Sequence, residues 1–118
     1  MKLKEVQDIL GAQVLCGEDH LQSEVHNCFG SDMMSDVLAF AQEDTLLITG
    51  LVNHQVIRTA EMAGIFAVAI VRGKMPEPDV IEMARERDIL LMQTSCLLFD
   101  ACGKLYEGGL RGAKRRDQ

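Results

Sequence analysis

Aromatic side chains are scarce in this chain of 118 residues, which has no Trp, one Tyr and four Phe. A hydrophobic core therefore has to be built mainly from Leu, Ile, Val, Ala and Met. Apolar residues make up 47% of the sequence and charged residues 25%, which is the composition of an ordinary globular domain. The length suits one domain with a single core.

Long apolar runs are also missing. No segment approaches the roughly 18 consecutive apolar residues of a membrane-spanning helix. The opening residues, MKLKEVQDILG, are charged and amphipathic, and they lack the uninterrupted apolar stretch of a signal peptide. We therefore expect a cytoplasmic protein that has no membrane partner.

Metal and phosphate motifs are absent from the sequence. The four cysteines, Cys16, Cys28, Cys96 and Cys102, form no C-x-x-C pair, and the three histidines are far apart. In a reducing compartment such cysteines are by default buried thiols. There is no G-x-G-x-x-G loop and no Walker A sequence. The sequence therefore predicts that the protein has no bound metal and no cofactor.

Net positive charge is lacking too, since the formal charge of the chain is -6. Residues 111–118 carry four basic side chains against Asp117, which leaves -9 on residues 1–110. An acidic body repels phosphate backbones and argues against a nucleic-acid partner. We interpret residues 111–118 as a disordered basic tail, with a small docking patch as the alternative.

What the sequence does contain is one pattern repeated three times between Leu46 and Thr94. LLITG, FAVAIVRG and ILLMQT are short apolar runs, and the two segments between them have helical spacing. Such runs are typical of strands buried on both faces, and their alternation with helices indicates βαβ units. The sequence predicts one α/β domain over residues 1–110, a three-layer α/β/α fold with a mainly parallel sheet of four to five strands.

Residues that favour helix ends mark several boundaries. Gly11 follows an amphipathic stretch and is a natural end for the first helix. Ser31, Asn53 and Ser95 are placed to cap three later helices. Pro78 suits the first turn of another helix, because its missing N–H would be unpaired there anyway.

The carboxyl ends of parallel strands meet at one edge of a sheet, where open α/β domains bind ligands. Helix N-termini at the same edge expose free N–H groups that attract anions. We therefore predict a site for a small anion or a nucleotide, formed by Gly50, Asn53, His54, Arg72, Gly73, Thr94 and Ser95. The alternative interpretation is that the polar residues are plain helix caps and that Arg72 is simply solvated.

A catalytic site cannot be assembled from the sequence, because no nucleophile, base and orienting group can be placed together. We therefore predict that the chain is not an enzyme and has no catalytic residue. His54 and Cys96 each lie beside a predicted helix start, where the helix dipole alters side-chain reactivity. A small enzyme or a redox-responsive thiol protein using either residue is the alternative function.

Several segments, taken in order from about residue 2 to residue 110, resemble the DRTGG domain. The matching segments are VLCGEDHLQSEV, GSDMMSDVL, LLITG, VRGKMP and LLMQTSCLLFDACGKLYEGGL. The resemblance implies a fold similar to the N-terminal domain of HPr kinase/phosphorylase. It also implies a regulatory module of the kind found beside CBS domains. Stand-alone members are often encoded near iron hydrogenase and serine-kinase-like regulators, which implies a link to one of those systems.

Two signature elements of the family differ in this chain. Val52 and Asn53 stand where the family has an Asp-Arg pair, and Val71, Arg72 and Gly73 stand where it has Thr-Gly-Gly. The resemblance therefore implies the fold and a regulatory role, without naming a ligand. It predicts a non-catalytic regulatory or ligand-sensing module, with a ligand-free assembly subunit as a further alternative.

One predicted helix has more apolar side chains than a single buried stripe needs. MMSDVLAF contains Met33, Met34, Val37, Leu38 and Phe40, which span more than the roughly 100° of such a stripe. We expect the surplus to be buried against a second copy in a two-fold homodimer. The resemblance also implies dimers, and a separate protein partner is a further expectation. The alternative is that the surplus packs beneath the first helix.

Overall fold

The computed structural model describes residues 1–114 of the chain. Its helices are α1 (Leu3–Leu10), α2 (Met34–Phe40), α3 (His54–Ala63), α4 (Pro78–Glu86) and α5 (Leu98–Glu107). Its strands are β1 (Gln13–Cys16), β2 (Asn27–Gly30), β3 (Thr45–Thr49), β4 (Ala67–Ile70), β5 (Leu90–Gln93) and β6 (Arg111–Gly112). A short 3-10 turn, Glu18–His20, lies between β1 and β2.

The six strands form one sheet in the order β1-β5-β4-β3-β2-β6. Strands β2 to β6 run parallel to their neighbours, whereas β1 lies antiparallel against β5. A helix follows each of β2, β3, β4 and β5 in the sequence. The predicted α/β class, with its three layers and mainly parallel sheet, is confirmed.

The sheet has one strand more than the upper limit predicted, and that strand is β6. Its two residues pair with β2, and the Ala113 N–H donates to the Cys28 carbonyl at 2.9 Å. The prediction that disorder starts after residue 110 is therefore wrong for residues 111–113. Edge backbone groups of β2 would otherwise lack partners, and the returning chain supplies them. Residues 115–118 of the predicted tail lie outside the described residues.

Apolar side chains pack on both faces of the sheet, as buried parallel strands require. Helices α2, α3 and α4 cover one face, together with Leu47, Val68 and Leu91 of the strands. Helices α1 and α5 cover the other face, together with Leu46 and Ala67. Alternation along each strand sends neighbouring side chains into different layers.

Three of the predicted helix boundaries are confirmed. Gly11 follows the last residue of α1 and adopts φ 59°. Asn53 caps α3, and its side-chain oxygen accepts from the Val56 N–H at 3.3 Å. Pro78 is the first residue of α4. At these positions the local sequence decides where the helix begins or ends.

The two predicted serine caps are wrong. The Ser31 hydroxyl accepts from the Met33 N–H at 2.9 Å, and Met33 is itself the N-cap residue of α2. For α5 the N-cap is Leu97, two residues beyond Ser95. The cause is a tertiary contact, because the Cys96 carbonyl is bonded to the loop after β4 and is held outside the helix.

Most of the apolar side chains of α2 are used within the molecule. Met34 is 6% exposed and Val37 is fully buried, and Phe40 lies against Phe29 with ring centroids 5.9 Å apart. Met33 and Leu38 stay exposed. The surplus that we expected to face a second copy is therefore smaller than predicted, because this short helix packs on both the sheet and α3.

The longest described helices, α3 and α5, have ten residues each. None of the helices within residues 1–114 has the length and apolarity to cross a membrane. Over the same residues, His, Cys, Asp and Glu side chains form no group of three that could hold a metal ion.

Candidate functional site

The predicted site residues lie at the carboxyl edge of the parallel sheet, which we call the rim. The rim consists of the residues that follow β2, β3, β4 and β5, namely 31–32, 50–54, 71–74 and 94–96. Because these four strands are parallel, their ends face the same way. The fold therefore brings together four segments that are far apart in the sequence.

Asp32 joins the first two segments of the rim. Its Oδ1 accepts from the Gly50 N–H at 2.7 Å and from the Thr49 hydroxyl at 3.0 Å. The Thr49 oxygen in turn accepts from the Leu51 N–H at 3.2 Å. This oxygen of the carboxylate therefore fixes the path of the chain as it leaves β3.

Arg72 lies directly over Gly50. A Cβ atom on Gly50 would come within 2.9 Å of Arg72 Nη2 and 3.0 Å of its Nε. Glycine leaves room for the guanidinium group, which occupies the space that a side chain on residue 50 would fill. Two predicted site residues, one after β3 and one after β4, are thus in contact.

The backbone of Arg72 is strained. Its φ is 67° and that of Gly73 is 65°, so both residues occupy the left-handed region. A residue with a Cβ atom loses about 1–2 kcal/mol there, whereas glycine does not.

Two hydrogen bonds hold this turn in place. The Arg72 N–H donates to the Cys96 carbonyl at 2.8 Å, and the Gly73 N–H donates to the Thr94 carbonyl at 2.9 Å. The backbone donors of the turn are therefore already used. An anion at this turn would have to bind side chains.

Thr94 is 1% exposed and acts inside the protein. Its hydroxyl donates to the Leu10 carbonyl, at the end of α1, at 2.7 Å. The same oxygen accepts from the Cys96 N–H at 3.2 Å. The Thr94 side chain is therefore not available to a ligand, and the role predicted for it is corrected to a structural one.

The start of α3 forms the outer part of the rim. Asn53 uses its side-chain oxygen as the helix cap, and its NH2 group has no hydrogen-bond partner within residues 1–114. His54 Nε2 lies 3.2 Å from Asp79 Oδ2, at the start of α4. This contact joins the N-termini of α3 and α4 and gives His54 a carboxylate partner of its own.

Three exposed side chains of the rim, those of Arg72, Lys74 and Ser95, make no hydrogen bond or ion pair with the described part of the chain. Two are cations and the third is a hydroxyl donor. The two cations lie two residues apart in the loop after β4. Phosphate and carboxylate oxygens accept charge-assisted hydrogen bonds from such groups.

Cys96 and His54 belong to opposite faces of the sheet. Cys96 packs with the apolar layer under α1 and α5, whereas α3, which carries His54, covers the other face. The Lys104 ammonium lies 3.6 Å from the Cys96 sulfur, and the Leu10 carbonyl lies 3.8 Å from it. The two residues named for the alternative enzyme or thiol function therefore do not form one catalytic pair.

Sequence reasoning missed a cleft between α5 and the β2–β6 edge of the sheet, which we call the edge cleft. It has a volume of about 170 Å³ and is lined by Cys28, Gly30, Cys102, Leu105, Tyr106, Leu110, Arg111 and Gly112. These residues come from two distant parts of the chain. The available signal was small residues alternating on one strand face and an i, i+3, i+4 stripe on one helix face.

The two thiols of the edge cleft are uncharged at neutral pH. Burial, and secondarily the neighbouring Cys102, raise the pKa of the Cys28 thiol to about 12. Burial also raises the pKa of Cys102. Protonated thiols behave as small apolar groups, so this wall of the cleft is apolar in character.

Comparison with known proteins confirms the resemblance predicted from the sequence. The family model of the DRTGG domain matches residues 5–102. A comparison with curated proteins gives no match.

One solved structure of similar fold comprises the CBS and DRTGG domains of the regulatory region of Clostridium perfringens pyrophosphatase, complexed with the activator diadenosine tetraphosphate. The TM-score is 0.72 at 16% sequence identity. The match covers 98% of this chain and 51% of that one, so this chain spans about half of its length. At this identity the similarity shows a shared fold.

Proposed function

The chain belongs to the DRTGG domain family, and on that premise we propose that it is a non-catalytic regulatory module that senses a small anion at the rim. The anion would be a nucleotide or another phosphorylated metabolite. The observation that carries the proposal is Arg72, a cation with a strained backbone and no carboxylate partner within residues 1–114.

Strain of this kind persists where the surrounding structure holds a residue in place, and it is concentrated at ligand clamps and switch regions. The guanidinium group of Arg72 is positioned over Gly50, and its backbone is bonded to the loop after β5. An arginine contacts phosphate with two parallel N–H donors, and the backbone freedom of Arg72 is already lost before a ligand binds.

Further donors surround the same edge of the sheet. Within residues 1–114, Lys74 and Ser95 have unpartnered side chains, and Asn53 has a free NH2 group beside the start of α3. Several donors of this kind suit an anion with many oxygens. The regulatory region of similar fold is complexed with diadenosine tetraphosphate, which is an anion of the proposed class.

A ligand on Arg72 would act on the turn that bonds to Cys96, and Cys96 immediately precedes the N-cap of α5. At the start of α5, Leu97 is 58% exposed and Phe99 is 86% exposed. Exposed apolar side chains next to a ligand-sensitive loop suit an interface. We propose that this surface forms the homodimer, or binds the partner protein, through which the module regulates a hydrogenase or a serine-kinase system.

Binding at the rim can be tested with ATP and diadenosine tetraphosphate as probes and adenosine as the uncharged control. We expect both anions to raise the melting temperature of the protein and adenosine to leave it unchanged. In Arg72→Gln, anion affinity measured by calorimetry should fall at least tenfold, since a charge-assisted contact is lost.

Arg85→Gln is the matched control, because Arg85 lies in the last turn of α4 and not at the rim. It should bind both anions as the unchanged protein does. Equal affinity in Arg72→Gln, or hydrolysis of either nucleotide that disappears in His54→Ala or Cys96→Ser, would contradict the proposal.

Assembly has its own test, which is light scattering at micromolar concentration. We expect twice the chain mass of 13.1 kDa, and a monomer in Phe99→Ser. A dimer that persists in Phe99→Ser but dissociates in Met33→Glu would move the interface to α2, and a monomeric unchanged protein would end the dimer proposal.

A further inference from the structure

The edge cleft exists because small residues form two of its sides. Gly30 and Gly112 have no side chain, and Cys28 and Cys102 have short ones. A Cβ atom on Gly30 would come within 2.9 Å of the Cys102 sulfur, so even alanine would crowd the wall. The cleft includes none of the residues that form the rim.

Arg111 is the only cation among the lining residues. Its guanidinium carbon lies 4.0 Å from the centroid of the Tyr106 ring. Its Nη1 donates to the carbonyls of Tyr106 at 3.0 Å and Leu110 at 3.2 Å. These contacts fix the group, while its Nε and Nη2 make no hydrogen bond, and no carboxylate pairs with it, within residues 1–114.

We propose that the edge cleft is a second ligand site, and that its ligand is a compact apolar monocarboxylate. The carboxylate would accept hydrogen bonds from Nε and Nη2 of Arg111. The hydrocarbon part would lie against Cys28, Cys102 and Leu105. This site is independent of the rim, and the proposal does not rest on the function proposed there.

The size of the cleft sets the size of the ligand. A cavity of about 150 Å³ lined by apolar side chains binds benzene, and the edge cleft has a volume of about 170 Å³. The hydrocarbon part therefore has room for about six carbon atoms, as in hexanoate or benzoate.

The chemistry of the walls sets the class of the ligand. The leucines and the two protonated thiols offer no strong hydrogen bond to a polar body. A guanidinium group with two adjacent free donors matches the two oxygens of a carboxylate. An apolar body with one terminal carboxylate satisfies both conditions, whereas a polyanion would place charge against the apolar wall at a high desolvation cost.

The test uses the full chain with four probes, hexanoate and benzoate against hexanamide and benzamide, which have the same shape and no charge. We expect saturable binding of both acids and at least tenfold weaker binding of both amides. In two-dimensional amide NMR spectra the acids should shift the signals of Cys28, Gly30 and Gly112. The signals of Gly50 and Gly73 at the rim should stay in place.

Two variants separate the contribution of the charged contact from that of the apolar walls. Arg111→Gln should lower acid affinity to that of the amides without changing amide binding, since only the charged contact is lost. Cys102→Leu should weaken all four probes by filling the cleft, and circular dichroism checks that it is folded. No saturable binding at millimolar concentration, equal affinity for acids and amides, or shifts confined to the rim would each overturn the proposal. The comparison of acids with amides uses the unchanged protein, so it does not depend on whether a variant folds.

Discussion

The rim and the edge cleft each contain an arginine without a carboxylate partner in the described residues, but the two arginines are held by different means. Arg72 is fixed through its backbone, in a left-handed turn bonded to the next strand end. Arg111 is fixed through its side chain, which lies over Tyr106 and donates to two carbonyls. The rim is therefore cross-linked through the main chain, whereas the cleft is an opening between side chains.

This difference determines where stability and binding are coupled. At the rim, buried hydroxyls and backbone groups hold four chain segments together, so the loss of one of these hydrogen-bonding groups affects the fold. In the edge cleft, the lining groups are small and mostly apolar, so a change affects the shape of the cleft before it affects the fold.

The largest effect is expected for Thr94→Val. Valine keeps the shape of the side chain but leaves the Leu10 carbonyl and the Cys96 N–H without their hydroxyl partner. Buried polar groups left unpaired cost about 1–3 kcal/mol each. We expect the free energy of unfolding, measured with urea, to fall by about 3 kcal/mol. Cys102→Ala in the edge cleft should cost about 1 kcal/mol or less.

Thr59→Val is the matched control for this prediction. Thr59 is also buried, but its hydroxyl makes no hydrogen bond in the described part of the chain. We expect a change within about 0.5 kcal/mol, since an apolar replacement leaves no partner unpaired. If Thr94→Val were as mild as Thr59→Val, the rim would not be the cross-linked region described above.

The next effect belongs to the cleft and appears only at alkaline pH. The pKa of Cys28 is about 12 in the folded protein, against about 9 for a free thiol. Below pH 9 the thiol is neutral in both states and contributes no pH dependence. Between about pH 9 and 12 the unfolded chain ionises while the folded one does not, so stability is lost as pH rises.

By linkage, the loss from Cys28 reaches about 1.4 kcal/mol for each pH unit above 9. Urea unfolding at pH 8, 9 and 10 measures it. Because the unfolded thiol is already half ionised at pH 9, the decline between pH 9 and 10 in Cys28→Ala should be smaller by about 1 kcal/mol. Identical declines in the two proteins would show that Cys28 is not the buried thiol described above.

A gain in stability is expected for Arg72→Gly. Glycine relieves the left-handed strain, worth about 1–2 kcal/mol, and loses part of that gain to the greater freedom of the unfolded chain. The net gain in unfolding free energy should be about 0.5–1 kcal/mol, with anion binding at the rim abolished. Asp88→Gly, at the other strained position, φ 58°, is the control and should leave anion binding intact. A less stable Arg72→Gly protein would mean that the side chain of Arg72 supports the fold.

The sequence predicted the rim better than the cleft for a physical reason. Buried parallel strands must be apolar on both faces, so β3, β4 and β5 are visible as continuous runs. Where those runs stop, the rim residues follow, and Gly50, Arg72 and Gly73 were found in this way. The structure adds that Gly50 and Arg72 touch, which no pattern of single residues shows.

The predictions that were wrong share one cause, which is contact between segments that are distant in the sequence. The serine at position 95 has the chemistry of a helix cap, but Cys96 is bound to the loop after β4, and α5 starts later. The strand β6 has only two residues, so its pairing with β2 leaves no apolar period in the sequence. The edge cleft depends on both β2 and β6 and could not be predicted without them.

The smallest change in stability is expected for Gly50→Ala. The new Cβ atom would lie 2.9 Å from the end of the Arg72 side chain, which is flexible and can move away. Stability should therefore change by no more than about 0.5 kcal/mol, a normal value for a change that leaves the core intact. The guanidinium group would be displaced from its position over Gly50, so ATP affinity should fall about tenfold when measured by calorimetry. Gly103→Ala in α5, where a Cβ atom meets nothing within 4 Å, is the control and should bind ATP normally. Because Gly50→Ala keeps Arg72 and its charge, a lost affinity would show that the position of the arginine over Gly50 matters. An unchanged affinity would show that Arg72 contributes to binding only through its charge.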